Sequence, residues 1–185
     1  MLKMYEISPE LKPEQKQVIY GTILGGSSIV TQPNGRNSYL YMKDIDDEWI
    51  IYKCNILKDF FKMPFKVKTV SSIAYPIFNE IKKIFYDIYE NKIVSNEILN
   101  SLDKLGIMIW FVDAGKKVNN QAILKTNKFG ENGSKLIADY FNSLNCYCEA
   151  ILNKKTHEVV FSKEGTEELF KIIEIPDFMI EKIVK

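Results

Sequence analysis

The chain contains the same order of predicted elements twice, and this internal duplication restricts the folds that it can adopt. Each copy begins with an apolar segment, at residues 15–24 and 105–115, that ends at glycine and runs into a polar stretch. The second segment is apolar on all sides, as is typical of a helix buried between other elements. We therefore predict two halves, residues 1–103 and 104–185, which form one compact unit and contribute one buried helix each.

Hydrophobic periodicity and turn residues predict the remaining elements. Before residue 104, helices are expected at about 13–24, 48–61, 76–88 and 96–102, and strands at 29–32, 38–42 and 65–70. After it, a polar turn at 116–120 precedes strands at 121–126, 146–152 and 158–162 and helices at 133–144, 166–173 and 177–183. The Asn34-Gly35 pair supplies the positive φ angles of a tight reversal, which places Arg36 at the tip of the first hairpin.

An interior glycine indicates how the two buried helices meet. Gly21, Thr22 and Gly25 lie at three- and four-residue spacing, which places them on one flat face of the first helix. Glycine inside a helix costs about 1 kcal/mol relative to alanine, so its presence calls for a packing reason. We predict that the two buried helices approach each other closely at this face.

The composition is that of a folded globular protein. Of 185 residues, 46% are hydrophobic and 26% are charged, which excludes a disordered chain. The net charge of +1 argues against a nucleic-acid binder unless the lysines gather on one face and the acids on another. No apolar run is long enough to span a membrane, and the amino terminus lacks an apolar signal segment. We expect an intracellular monomer, cytoplasmic or organellar and not secreted.

Residues 20–28 (YGTILGGSS) and 109–115 (IWFVDAG) resemble the paired motifs of LAGLIDADG homing endonucleases, in the single-chain branch whose motifs read roughly LLGDGS and WFMDDG. Residues 49–57, 75–86 and 175–179 extend the resemblance over nearly the whole chain. It implies an α+β fold, a pseudo-twofold duplicated αββαββα scaffold whose two curved antiparallel sheets form a saddle over the DNA major groove. It also implies double-stranded DNA as the partner, magnesium or another divalent cation as the cofactor, and metal-dependent phosphodiester cleavage.

Both metal-binding acids of the family motifs are missing from this sequence. Gly26 and Ala114 occupy the aligned positions, and neither side chain has an oxygen. Asp113 is adjacent, but a shift of one residue turns a helical side chain by about 100°, so it does not simply substitute. A residual metal role for Asp113 and a hydrogen-bonding role at the helix end both stay open. We assign no metal ligand.

Other charged residues are candidates for the centre of the site. Lys92 and Lys182 match basic residues that the resemblance places near the scissile phosphates, Lys182 with an offset of one residue. An acidic run is typical of a helix start, and would bind metal only if the fold brought it to the motif helices: Asp44, Asp46, Asp47 and Glu48.

Residues two apart in a strand share a face, and this alternation predicts the surface that contacts the duplex. Arg, Lys, Asn and Gln side chains bond base edges or phosphates. In the first half, the predicted contacts are Ser28, Val30, Gln32, Arg36, Ser38 and Tyr41. In the second half, they are Lys116, Lys117, Asn119, Gln121, Lys125, Asn127, Lys154, Lys155 and His157.

The leading hypothesis is sequence-specific binding of double-stranded DNA by a protein of homing-endonuclease type. Because the motif acids are absent, we expect cleavage to be impaired or lost, and enzymatic activity stays an open question. One alternative is an intron RNA maturase, which would need a second basic surface such as Lys82, Lys83 and Lys171. Another is a non-cleaving DNA-binding regulator, which we rank lower because no separate effector segment is predicted.

Overall fold

The computed structural model describes residues 7–32, 34–43, 46–62 and 68–184. Before residue 104 it contains the helices α1 (Pro13–Gly25), α2 (Asp47–Ile56), α3 (Pro76–Phe85) and α4 (Asn96–Asn100), and the strands β1 (Ser28–Thr31), β2 (Ser38–Lys43) and β3 (Thr69–Ser71). From there on it contains α5 (Lys104–Ala114), α6 (Gly130–Ser143), α7 (Lys163–Ile172) and α8 (Asp177–Ile183), with β4 (Gly115–Val118), β5 (Gln121–Lys125), β6 (Cys148–Asn153) and β7 (Thr156–Phe161). None of these described helices is long and apolar enough to cross a bilayer.

The strands form two antiparallel sheets, in the orders β1-β2-β3 and β4-β5-β7-β6. Helices cover one face of each sheet, since α3 packs on β1 and β2 while α6 packs on β6 and β7. Ile29, Leu40 and Met42 of the first sheet are buried on the covered face, and their strand neighbours point the other way. Each sheet therefore has one face turned away from the helices, called the open face below. The predicted α+β fold with two antiparallel sheets is confirmed.

The prediction of a polar turn at residues 116–120 is wrong for most of its length. Residues 115–118 form β4, and Val118 pairs directly with Gln121 of β5. Asn119 adopts a positive φ of 54°, which lets two residues reverse the chain. The lysine-rich composition hid the strand because both lysines sit on an edge strand, where long charged side chains are common.

Two predicted helices end earlier than their apolar pattern indicated. The helix expected at 76–88 stops at Phe85, because Tyr86 is extended (φ −133°, ψ 140°) and bridges to Lys92. The helix expected at 48–61 stops at Ile56 and is followed by a short 3₁₀ turn at Lys58–Phe60. Of the strand expected at 65–70, residues 65–67 lie outside the described residues, and β3 begins at Thr69.

Helices α1 and α5 pack against each other in the core, and glycines set their separation. A Cβ atom on Gly21 would lie 2.4 Å from the carbonyl oxygen of Gly106 and 2.8 Å from the Cβ of Ile109. A Cβ atom on Gly25 would lie 2.3 Å from the Cβ of Asp113. Such distances are shorter than van der Waals contact, so the helices meet backbone to backbone. The predicted close approach at Gly21 is confirmed.

Replacing Gly21 with alanine is expected to lower the free energy of unfolding by about 2 kcal/mol or more, because the new methyl group forces α1 and α5 apart. The helix propensity of alanine works in the opposite direction and is worth about 1 kcal/mol. Urea denaturation of the two proteins measures the difference. A variant that is as stable as the parent, or more so, would show that close helix packing is not the reason for this glycine.

Candidate nucleic-acid interface

Helices α1 and α5 end beside each other, and each leads directly into the first strand of a sheet. Gly26 follows α1 with a φ of +147°, a backbone conformation that L side chains rarely adopt. Its N–H donates to the carbonyl oxygens of Thr22 (3.1 Å) and Ile23 (3.3 Å). Ala114 is the last residue of α5. The two positions of the missing acids therefore lie where the paired helices meet the two sheets.

Asp113 forms a buried ion pair at this junction. Its carboxylate accepts from the Nζ of Lys53 at 2.8 and 3.1 Å and from the indole N–H of Trp49, both on α2. The side chains of Asp113 and Lys53 are only 7% and 2% exposed. Because an isolated buried charge is costly, each partner requires the other. This geometry favours the hydrogen-bonding role of Asp113 over a metal-binding role.

The side chains at the junction do not fit a divalent cation. The side chains of Gly26 and Ala114 contain no oxygen, and the Asp113 carboxylate is neutralised by Lys53. A Cβ atom built on Gly26 would lie 3.5 Å from the Nζ of Lys128, so an ammonium group lies beside the point where the first motif acid would begin. Within the described ranges, no three His, Cys, Asp or Glu residues come together as metal ligands.

The acidic run and Lys182 meet at the start of α2. Asp46 accepts from the backbone N–H of Trp49 at 2.9 Å and caps the helix, and Asp47 and Glu48 form its first turn, as predicted for a helix start. The other carboxylate oxygen of Asp46 pairs with Lys182, which joins α8 to α2. Asp44 lies outside the described residues. A role for Lys182 near a phosphate stays a prediction.

Lys92 lies at the carboxyl end of α1, and its predicted role near a phosphate stays a prediction. Its Nζ donates to the carbonyl oxygens of Ile23 (3.2 Å) and Ser27. The turn at residues 86–92 holds it there, because the Asp87 carboxylate accepts from two backbone N–H groups of that turn, at 2.8 and 2.9 Å. Burial, and then repulsion by Lys128, lowers the pKa of Lys92 to about 7. Its ammonium is therefore held in a partly desolvated site near a second cation.

Lys128 is the functional candidate that sequence reasoning missed. It lies in the 3₁₀ turn Asn127–Phe129 between β5 and α6, where Thr126 bonds Ser134 at 2.7 Å and fixes the turn. Burial lowers the pKa of Lys128 to about 8, and the charge of Asp113 acts in the opposite direction. Nothing in the sequence distinguishes this lysine from the many others, because only the fold brings it to Gly26.

The stability of the protein is expected to rise with pH because of Lys92. An unfolded lysine titrates near 10.5, so above pH 7 the unfolded state binds more protons than the folded state. Below pH 7 the folded protein carries the full free-energy cost of burying the Lys92 ammonium. This cost falls as the pH rises, because the folded amine loses its proton. At about 1.4 kcal/mol per pH unit, Lys92 adds about 1.5 kcal/mol between pH 7 and 8.5.

Urea denaturation of the parent and of Lys92→Met at both pH values measures this contribution. The variant is expected to lose the part of the increase that Lys92 supplies, while the smaller contribution of Lys128, whose pKa is lowered to about 8, remains. Equal pH dependence in the two proteins would show that the Lys92 amine is not desolvated.

The open face of the first sheet contains three of its predicted contacts. Ser28, Val30 and Tyr41 point to this face, and Ser28 pairs directly with Tyr41 across the strands. Ser38 does not, since it is 1% exposed and bonds Thr31 on the covered side. The parity of β2 instead places the missed residue Tyr39 on the open face, opposite Val30. Gln32 and Arg36 are exposed at the end of this hairpin.

The open face of the second sheet contains lysines and also acids. Lys116, Gln121 and Lys125 point to it, as predicted. Glu149 and Glu158 share this face, so it is not uniformly basic as the segregation of charge had suggested.

Two predicted contacts of this sheet lie on its covered face. Lys117 is opposite Ala122 and its Nζ lies 5.3 Å from the centre of the Phe170 ring of α7. His157 pairs with Leu152 and lines a cavity with Glu131 of α6. Lys117 was expected in a polar turn and His157 before a strand at 158–162, so the strand pattern predicted no face for either side chain.

The remaining predicted contacts are exposed in turns. Asn119 lies in the β4–β5 turn, and Lys154 and Lys155 form the β6–β7 turn. Asn127 is exposed in the turn after β5, where its side-chain oxygen accepts from the backbone N–H of His157 at 3.3 Å. These side chains are accessible for phosphate contacts at the edges of the second sheet.

The chain is similar to solved structures of DNA-bound proteins. The homing endonuclease I-WcaI bound to its DNA recognition sequence superimposes with a TM-score of 0.87 at 16% identity, over 95% of this chain and 88% of that chain. An I-DmoI variant in complex with its target DNA in the presence of Mn superimposes with a TM-score of 0.61 at 10% identity, over 89% of this chain and 95% of that chain. At these identities the likeness shows the fold.

Sequence comparison identifies the family. The cytochrome b mRNA maturase bI2 of Debaryomyces hansenii is 27% identical over 143 residues, which cover 68% of this chain and 54% of the maturase. The chain thus spans about half the length of that curated relative. The model of the LAGLIDADG DNA endonuclease family matches residues 16–169. The chain belongs to the LAGLIDADG DNA endonuclease family.

Proposed function

We propose that the chain is a sequence-specific binder of double-stranded DNA that does not cleave its target. The observation that supports this most directly is the pair of open sheet faces on either side of the α1–α5 junction, where Lys128 lies beside the position of a missing metal-binding acid. In this proposal, residues 1–103 supply one sheet and residues 104–185 the other, and each sheet contacts one half of an extended target.

The open faces supply the groups that duplex recognition needs. On the second sheet, Lys116, Gln121 and Lys125 can donate to phosphates or to base acceptors in the major groove. Glu149 is exposed on the same face, and a carboxylate accepts from the N4 amine of cytosine. On the first sheet, Arg36 is exposed at the hairpin tip, with the geometry that suits bidentate bonding to guanine.

The side chains at the junction support the proposed loss of cleavage. Solved complexes of I-DmoI were obtained in the presence of Mn or Mg, which is consistent with divalent cations in the family. In this chain, neither Gly26 nor Ala114 provides a ligand, and Lys53 neutralises Asp113. We therefore derive no hydrolytic step for this protein, and its partner is bound and released intact.

The maturase alternative has less support from the surface. A second basic surface would need unpaired lysines, but Lys82 pairs with Glu90 at 2.6 Å, Lys83 with Glu80 at 2.9 Å and Lys171 with Glu168 at 2.6 Å. Each lysine is thus partly neutralised by a neighbouring acid. Similarity to an mRNA maturase keeps RNA as the second candidate partner.

Selection from a random duplex library, in buffer with EDTA, tests the proposed function. Repeated rounds are expected to converge on one extended sequence, which the protein binds in preference to intron RNA of similar length. If a parallel selection from RNA converges on one sequence while duplex binding is weak and sequence-independent, the result would instead support the maturase. The control variant is Gln121→Ala, which removes a side chain of the open face. It is expected to lose its preference for the selected sequence.

A further inference from the structure

We propose that Lys92 and Lys128 form a phosphate-binding site that holds a backbone phosphate at the middle of the DNA target, in place of a bridging metal ion. The inference rests on the proposed function and adds to it a specific contact that does not require a divalent cation. Its chemistry is that of ammonium groups bonding the oxygens of one phosphodiester.

Both ammonium groups lie at the carboxyl end of α1. Lys92 is anchored there by the carbonyl oxygens of Ile23 and Ser27. Lys128 approaches from the second sheet and lies 3.5 Å from the point where a side chain of residue 26 would begin. One lysine comes from each side of the α1–α5 junction, so a phosphate bound between them would lie close to the pseudo-twofold axis.

Neither Lys92 nor Lys128 is paired with a carboxylate of the described residues. Neither forms an ion pair within 4 Å with any carboxylate of the described ranges. The nearby Asp113 is neutralised by Lys53, so the junction has excess positive charge. Burial disfavours both cations, and Lys128 repels Lys92. A bound anion would relieve this repulsion and replace the lost hydration, which makes the site complementary to a phosphate.

Short fixed turns position both side chains before any ligand arrives. The turn that precedes Lys92 is tied to the first sheet, because the Tyr86 hydroxyl accepts from the backbone N–H of Ile29 at 3.0 Å. The turn that contains Lys128 is tied to the second sheet through Asn127 and His157. Less conformational entropy is therefore lost on binding than for a lysine on an exposed strand.

Lys128 provides the cleaner test, since Lys92 also caps α1 through the two carbonyl oxygens. Lys128→Met keeps the apolar stem and removes the charge. Lys104→Met is the matched control, because Lys104 is the first residue of α5, at the opposite end from Ala114, and is exposed at the protein surface.

Binding to the selected duplex is measured in EDTA over a range of salt concentrations. Lys128→Met is expected to bind roughly ten- to a hundredfold more weakly, with the slope of log Kd against log salt reduced by about 0.9. Lys104→Met is expected to match the parent in both quantities. Equal affinity and slope in Lys128→Met and the parent would overturn the phosphate site.

A scan with single neutral methylphosphonate linkages then locates the contact. One central linkage is expected to weaken binding of the parent and to have little further effect on Lys128→Met, because the variant has already lost that contact. Independent losses at every linkage would overturn the inference while leaving duplex binding intact. Failure of the parent protein to bind any selected duplex would instead overturn the proposed function.

Discussion

Replacing Lys53 with methionine is expected to lower the free energy of unfolding by about 3–5 kcal/mol, the cost of leaving one partner of a buried ion pair alone. Lys53 is 2% exposed and its Nζ bonds both oxygens of Asp113. The variant therefore buries a carboxylate that has lost its ammonium partner and keeps the hydrogen bond from the indole N–H of Trp49. Thermal and urea denaturation at pH 7 measure the loss.

The double variant Lys53→Met with Asp113→Leu serves as the internal control. It removes both charges and is expected to recover most of the lost stability, because an apolar pair avoids the cost of desolvating ions. Lys83→Met removes an ion pair that is exposed on α3 and is expected to change stability by less than about 1 kcal/mol. A Lys53→Met protein as stable as the parent would contradict the assignment of Asp113 to this pair.

The second large effect is expected when the motif acids are restored. The double variant Gly26→Asp with Ala114→Asp is expected to leave the selected duplex intact in magnesium, because Lys128 would pair with the new carboxylate at position 26. The positive φ at that position adds strain of about 1–3 kcal/mol for a residue with a Cβ. Adding Lys128→Ser is expected to raise nicking by roughly a hundredfold or more, the scale of one electrostatic group in a catalytic site.

Nicking of a supercoiled plasmid that contains the selected site provides the measurement, with EDTA as the negative control. Thermal denaturation shows whether each variant folds, and duplex affinity shows whether it still binds. If the double variant already cuts as fast as the triple variant, Lys128 does not occupy the space of the missing acid. If a folded and binding triple variant does not cut, the lost acids are not what prevents cleavage.

The sequence predicted the core well because the core depends on local patterns. The interior Gly21 indicated close helix packing, and the structure places Gly106 and Ile109 directly against it. The apolar segment at 105–115 predicted α5 to within one residue. Such features depend on side-chain size and periodicity, which can be read from neighbouring positions.

The site was harder to predict because it depends on strand parity and on tertiary contacts. Ser38 and Tyr41 were both predicted contacts, but neighbouring strand residues point in opposite directions and Ser38 lies on the covered face. Lys117 was expected in a turn, and only the pairing of β4 with β5 shows that it lies on the covered face. Lys128 is distant from Gly26 in sequence and reaches it only when the two sheets meet at the helix ends. The ion pair of Asp113 with Lys53 likewise joins separate helices.

We propose that this LAGLIDADG protein binds duplex DNA through its own side chains, without a divalent cation and without cleavage. The most direct measurement is the affinity for the selected duplex in EDTA and in magnesium, with the DNA recovered and sized after each titration. Equal affinity in the two buffers, and intact DNA in both, are expected. Tight binding only in magnesium, or recovery of cut DNA, would contradict the proposal.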